Sequence, residues 1–454
     1  MNIPLTIEGV RASLSKKEFS IEELVSEYLE RINANRDLNA FITISEERAF
    51  GQAKNLDLSK SLAGVVVAHK DLFLTKGIKT TAASKVLESF VPEYSATVVS
   101  RMEEAGAIMI GKANCDAWAH GASGENSDFG PTKNPWNKDY VSGGSSSGSA
   151  AAVAAGLSLV STGTDTGGSI RNPANFCGVV GLKPTYGAVS RYGIIAMASS
   201  LDSPGCFAHT VEDVEKIFNF IKGPDGFDST VKELQSFKPK SKMKIGVPKE
   251  YFIEGIDKEV EKSVLQAIQV FKRSGVELVD ISLPHTKYSI DVYYIVQPAE
   301  VSSNLGRYDG IRYGNGRESF GEEAVRRIML GTYVLSAGYY DAYYLKAQKV
   351  RSLLIKDFDQ AFQKVDAIIA PVMPTSAFKL GEKAADPLQM YLADIFTSSA
   401  NLAGIPGIAI PSGFDAKGLP LGFQLLGSRF SEPILFELGK TYQKITGYKP
   451  QLAK

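Results

Sequence analysis

Between residues 143 and 169 the chain reads G-G-S-S-S-G-S-A-A-A-V-A-A-G-L-S-L-V-S-T-G-T-D-T-G-G-S, two Gly-Gly-Ser turns bracketing an alanine-rich run. Paired glycines let the backbone take positive φ and come close to a bound group. Successive N–H groups at such turns form a concavity suited to an anion. The alanine-rich middle forms a helix readily and is expected to be helical from about 149 to 157, which argues against a flexible Gly/Ser linker. The first turn then sets Ser145 at the mouth of a helix, and the second sets Ser169 after Thr166, Gly167 and Gly168. Two hydroxyls that each end such a turn point to a nucleophile and an oxyanion hole. A phosphate cradle is the competing use of a glycine-rich loop, but no G-x-x-x-x-G-K-[S/T] is present.

A serine nucleophile needs a base. The chain has only four histidines, His69, His120, His209 and His285, and His120 and His209 sit beside small or apolar residues, as core or turn histidines do. The base of Ser169 is therefore open to a group other than imidazole. Lys70 closely follows the apolar run 63–68, which reads as a buried strand. Its amine either snorkels to solvent or is buried and made less basic by desolvation. Arg326 and Arg327 stand among apolar residues in a helical pattern. Either is a helix-surface arginine or a bidentate partner for a carboxylate.

The rest of the chain supplies a frame for these residues. A capping box at Ser20 and Glu23 opens an amphipathic helix over 20–33. Short apolar elements over 38–44 and a helix near 46–53 follow. Strands are expected at 63–68, 107–111, 244–247, 276–281, 367–371, 407–411 and 421–426. Helices are expected at 211–221 (capped by Thr210), at 258–274 and from about 432. Residues 121–142 read as a long loop, 175–181 as turn-rich, 237–242 as a linker and 286–362 as tyrosine-rich helix. The alternation predicts one α/β domain over 1–454, with a large mixed β-sheet covered by helices and a helical insertion near 286–362. Lys+Arg and Asp+Glu are 50 each, so no general basic surface exists to hold nucleic acid or anionic lipid unaided. Cys115, Cys177 and Cys206 are too few and scattered for a disulfide framework or a zinc site. No apolar run of ~20 residues is present, and the start Met1-Asn2-Ile3-Pro4 lacks a basic-then-apolar leader. A cytoplasmic location without membrane contact is expected.

G-G-S-S with G-S-A-A after it, then T-D-T-G-G-S-I-R over 164–171 and G-V-V-G-L-K-P-T over 178–185, resembles the amidase signature family. The resemblance covers nearly the whole chain, with core motifs over 63–215 and Lys70 at the family's strand-end lysine. Within the family it is to the members that hydrolyse glutamine inside tRNA-dependent amidotransferases. It is carried by E-N-S at 125–127, N-P-W-N at 134–137, S-R-Y-G at 190–193 and R-R-I-M-L-G-T at 326–332. S-A-G-Y-Y-D-A-Y-Y at 336–344, N-L-A-G-I-P-G at 401–407 and L-G-F-Q at 421–424 add to it. Ser147 departs from the family's more common third glycine, and the segment 314–321 looks shorter than its usual counterpart.

The resemblance implies a Ser–cis-Ser–Lys site in which Ser169 is acylated, Ser145 bridges and Lys70 is the base, with a cis peptide before Ser145. The backbone N–H groups of Thr166, Gly167, Gly168 and Ser169 would hold the oxyanion. Arg327 and Asp394 would grip the α-carboxylate and α-amine of L-glutamine, with Arg326 and Asp386 as competing assignments. The ammonia released would convert Glu-tRNA(Gln) to Gln-tRNA(Gln). The resemblance implies no cofactor or metal in this chain. ATP and Mg2+ would belong to a B subunit that also binds tRNA, beside a small C subunit. A stand-alone amidase for a small or aryl amide is the alternative within the same family.

Overall fold

In the computed structural model, which describes residues 1–233, 240, 242–252, 255–308, 316–383 and 387–453, strands and helices alternate around one mixed sheet. The strands are β1 (Phe41–Ile44), β2 (Val66–Lys70), β3 (Ile108–Ala113), β4 (Lys133–Asn134), β5 (Asn137–Val141), β6 (Val160–Asp165) and β7 (Val180–Lys183). They continue with β8 (Ser203–Ala208), β9 (Lys244–Pro248), β10 (Glu277–Ile281), β11 (Ala367–Pro371), β12 (Gly407–Phe414) and β13 (Pro420–Gly427). Eleven of them form the sheet in the order β1-β3-β2-β6-β8-β7-β12-β13-β11-β9-β10, and β4 pairs with β5 separately. β2 is parallel to β3 and β6, and β9 is parallel to β10 and β11. The other pairs in the sheet are antiparallel.

Every residue of β2 and β6 is buried, so both faces of the sheet are covered there. The strand expected at 63–68 lies further along. Gly64, at φ +85°, interrupts the extended run, and β2 continues through His69 to Lys70. His69 pairs with Thr162 across the parallel β2–β6 ladder, so Lys70 and Asp165 leave the sheet along the same edge. Open α/β sheets place their sites at such carboxyl ends.

The alanine-rich helix spans Ser147–Ala154, and all of it is buried. Its small side chains let a helix that is apolar all round sit inside the core. It begins earlier than the expected 149–157 and also ends earlier, Gly156 at φ +66° stopping it. A short connection then enters β6, so the helix doubles back and returns its N-terminus to the end of that strand. There the Ser146 N–H donates to the Ser169 carbonyl at 3.2 Å.

The loop over 121–142 contains the β4–β5 hairpin, and the turn-rich 175–181 is instead the end of a helix, Arg171–Cys177, closed by Gly178 at φ +70°. The capping box at Ser20 and Glu23 and the Thr210 cap form as expected. Helices Ser289–Asn304, Glu322–Val334 and Lys346–Ala361, with a π-helical turn at Tyr340–Leu345, make up the insertion. Four of the six linker residues at 237–242 fall outside the described residues, as do residues 314 and 315 of the short segment. Among the described residues no helix is long and apolar enough to cross a membrane.

A buried ion pair ties the second turn to the C-terminal strands. Arg171 donates to Asp165 from Nε and Nη2, both at 3.0 Å, and from Nη1 to the Gln424 Oε1 at 2.8 Å. Its Nη2 also reaches the Asn401 Oδ1 at 2.6 Å and the Thr397 carbonyl at 3.0 Å. Burial opposes the charge on Asp165, yet Arg171 beside it holds the carboxyl down at about 2. Arg171→Met leaves that carboxylate buried and uncompensated. Urea denaturation is expected to show a loss of about 3–5 kcal/mol. A loss below 1 kcal/mol would mean that the pair adds little to the fold.

Candidate active site

Lys70 is fully buried, and its Nζ contacts three hydroxyls: Ser145 Oγ at 2.8 Å, Thr164 Oγ1 at 2.9 Å and Ser146 Oγ at 3.0 Å. No carboxylate lies within ion-pair distance of it among the described residues. Burial pushes its pKa down to about 8, against the pull of Asp116, Asp202 and Asp165 nearby. Of the two alternatives left by the sequence, the amine is thus the buried one. All of His69, His120 and His209 are buried, and burial likewise keeps each ring neutral. None of the four histidines hydrogen-bonds Ser145 or Ser169 among the described residues.

The Gly144–Ser145 peptide bond is cis. Asp116 packs behind this turn. Its N–H donates to the Ser145 carbonyl at 3.1 Å, and its carboxylate accepts from the N–H groups of Gly124 at 3.1 Å and Asn126 at 2.9 Å. A side chain at position 144 would collide with that carboxylate, which explains one of the paired glycines. Burial pushes the Asp116 carboxyl up to about 7. Ser147, in place of a third glycine, is buried and donates to Thr132 Oγ1 at 3.1 Å.

In the second turn the side chain of Thr166 faces away, donating to Asp202 at 2.7 Å. The N–H groups of Ile170 and Arg171 are satisfied by the Asp165 carboxylate. By contrast, those of Thr166, Gly167, Gly168 and Ser169 have no acceptor among the described residues. Four consecutive donors without an acceptor beside a serine hydroxyl are available to a bound anion. Tyr293 lies against this turn: a Cβ at Gly167 would come within 2.6 Å of its hydroxyl oxygen. The Ser169 hydroxyl is itself unbonded among the described residues, and Ser169 is 7% exposed.

Arg327 and Arg326 separate clearly. Arg327 is buried, with Nε on Glu323 at 2.7 Å and Nη1 on Gln297 at 3.0 Å, between the rings of Tyr294 and Tyr391. The side chain of Arg326 is 40% exposed and pairs with Glu323 from outside. Asp394 is buried and accepts from the Tyr294 hydroxyl at 2.9 Å, so Tyr294 links the arginine to the aspartate. Burial pushes the Asp394 carboxyl up to about 7. A bound ammonium beside it would restore its charge. Asp386 lies outside the described residues.

A cavity of about 220 Å³ opens at Arg327, lined also by His120, Ser123, Asn126, Tyr294 and Tyr391. Its lining does not reach Ser169. The adjoining Tyr293 and Tyr294, whose ring centroids are 5.0 Å apart, connect the two places, one packed on Gly167 and the other on the cavity wall. Ser146, Thr164, Tyr294, Gln297 and Glu323 were not singled out in the sequence. Arg327 had a usable signal there: Ala324, Arg327, Gly331 and Val334 form the buried stripe of their helix at helical spacing, and Arg326 is off it.

The family model described as Amidase matches residues 23–436. The glutamyl-tRNA(Gln) amidotransferase A subunit of Koribacter versatilis (strain Ellin345) is 51% identical, over 96% of this chain and 97% of that protein. The crystal structure of the glutamyl-tRNA(Gln) amidotransferase A subunit from Thermotoga maritima matches with a TM-score of 0.81 at 42% identity, covering 94% of each chain. A peptide amidase in complex with the competitive inhibitor chymostatin matches with a TM-score of 0.83 at 29% identity, covering 98% of each chain.

Proposed function

The chain belongs to the amidase family, and on that premise we propose that it is the glutamine-hydrolysing subunit of a tRNA-dependent amidotransferase. The observation that carries this reading is the buried Lys70 amine, held by hydroxyls alone and 2.8 Å from Ser145. With a pKa of about 8, freeing that amine at pH 7 costs about 1.4 kcal/mol. A solvated lysine would require more than three times as much.

In the proposed reaction neutral Lys70 takes the proton of Ser145, which takes that of Ser169. The Ser169 oxygen attacks the γ-carboxamide carbon of glutamine, and the oxyanion settles on the N–H groups of 166–169, where one donor is worth about 3–4 kcal/mol of barrier. The proton returns through Ser145 to the leaving nitrogen, which departs as ammonia. Water then cleaves the acyl-Ser169 ester by the reverse route, and glutamate leaves. None of these steps needs a cofactor or metal.

Arg327 receives the α-carboxylate and Asp394 the α-ammonium, a cation and an anion for a zwitterion. Ammonia passes to a B subunit that binds ATP, Mg2+ and tRNA and converts Glu-tRNA(Gln) to Gln-tRNA(Gln), with a small C subunit completing a cytoplasmic complex. The balanced charge of this chain, 50 basic against 50 acidic residues, is consistent with tRNA being held mainly elsewhere.

Arg327→Met is expected to lower kcat/KM for glutamine by about 100-fold or more, chiefly through KM, since a buried charge-assisted pair is lost. Arg326→Met should stay within about threefold. Equal effects at both positions would remove Arg327 from the substrate site. The peptide amidase neighbour favours a stand-alone amidase as the second reading. Hydrolysis of hydrophobic amides by the lone chain, indifferent to partner subunits, would establish that reading in place of the first.

A further inference from the structure

The second turn is held by a residue 230 positions beyond Gly167. Thr397 is fully buried, and its hydroxyl donates to the Gly167 carbonyl at 2.5 Å. A trans peptide sets its C=O and N–H in opposite directions. The N–H belonging to that same peptide unit is Gly168's, one of the four free donors. Anchoring the carbonyl on Thr397 therefore turns the Gly168 N–H away from Thr397 and leaves it available to an anion. The approach is close enough that any side chain at position 168 would run into the Thr397 hydroxyl.

Thr397 also belongs to the turn that starts at Asp394. The N–H groups of Thr397 and Ser398 donate to the Asp394 carbonyl, at 3.1 and 3.0 Å. From the other side, the buried Arg171 holds the Thr397 carbonyl at 3.0 Å. One rigid segment thus has the carboxylate proposed for the substrate amine at one end and a clamp on the oxyanion turn at the other.

We infer that Thr397 is a positioning residue for glutamine hydrolysis, its hydroxyl fixing the Gly167–Gly168 peptide so that the Gly168 N–H faces the oxyanion. This rests on the assignment of Ser169 as nucleophile and of residues 166–169 as the oxyanion hole. Without the hydroxyl, the peptide loses its anchor and the donor its fixed direction. Substrate binding through Arg327 and Asp394 is left in place, so the loss falls on kcat.

The test compares Thr397→Val and Thr397→Ser in the assembled complex, with glutamine hydrolysis followed by glutamate release and ammonia-dependent amidation measured alongside. Thr397→Val is expected to lower kcat by about 10- to 100-fold, less than or equal to removal of a donor outright. KM should stay within about threefold, and ammonia-dependent amidation should be unchanged. Thr397→Ser, which keeps the hydroxyl, should recover kcat to within about threefold of wild type. Should the valine variant fail to assemble, Thr397→Ala removes the same hydroxyl without pressing a methyl group on Gly168. A kcat retained without the hydroxyl, a serine variant as impaired as the valine one, or a loss confined to KM overturns the inference. Ser169→Ala serves as the control on the parent assignment: persistence of hydrolysis in that variant sinks the nucleophile, whereas its loss beside an inert Thr397→Val sinks only the role of Thr397.

Discussion

Replacing Ser169 by alanine is expected to abolish glutamine-dependent amidation while leaving ammonia-dependent amidation by the assembled complex largely intact. The side chain removed is small, 7% exposed and free of hydrogen bonds among the described residues, so little of the fold depends on it. Its backbone contribution, the carbonyl that accepts from Ser146, remains. The loss is therefore chemical. A nucleophile acting as one unit with its base costs about 10³-fold or more when removed, and the residual rate comes from the oxyanion donors alone. Free ammonia bypasses the site altogether. Measuring the two amido donors side by side separates the outcomes: equal loss of both would make Ser169 structural.

Lys70→Met should be nearly as damaging to glutamine hydrolysis, because Lys70 is the one basic side chain that hydrogen-bonds Ser145 among the described residues. Methionine fills a similar volume, and the three hydroxyls that faced the amine can rearrange among themselves: Ser146 Oγ, for instance, is already 3.2 Å from the Thr164 carbonyl. Activity within tenfold of wild type would eliminate Lys70 as base. The same assignment fixes the sign of a pH dependence. Only the neutral amine accepts a proton, and burial has brought its pKa down to about 8. The free-enzyme parameter kcat/KM should accordingly rise with pH through an apparent value near 8 and level off above it. A profile flat from pH 6 to pH 9 would contradict a lysine base.

The candidate site was more legible in the chain than its supports. Gly-Gly-Ser turns, an alanine-rich helix and a lysine at a strand end are local patterns, and β2 and that helix form within a few residues of expectation, whereas the strands Val160–Asp165, Val180–Lys183 and Ser203–Ala208 and the helix Arg171–Cys177 beside the turns were not expected. Where boundaries moved, single glycines moved them: Gly64 delayed β2 so that Lys70 became part of the strand, and Gly156 cut the helix short. What supports the site is tertiary. Thr164, Thr397 and Asp116 are ordinary polar residues in sequence, and only the folded chain brings them to Lys70, Gly167 and the first turn. The choice of Arg327 over Arg326 was intermediate, readable from the small and apolar stripe on their helix but not from the dipeptide itself.

The bond from Arg171 to Gln424 spans 253 residues of chain, and Asn401 and Thr397 close the same cluster from 230 and 226 residues away. Translation proceeds from the N-terminus at about 5–20 residues per second. Both Gly-Gly-Ser turns, with the serines and the lysine, consequently emerge long before the segment that holds the second turn in shape. A nascent chain has the reactive groups yet lacks the frame that aligns them until the last strands of the sheet are made.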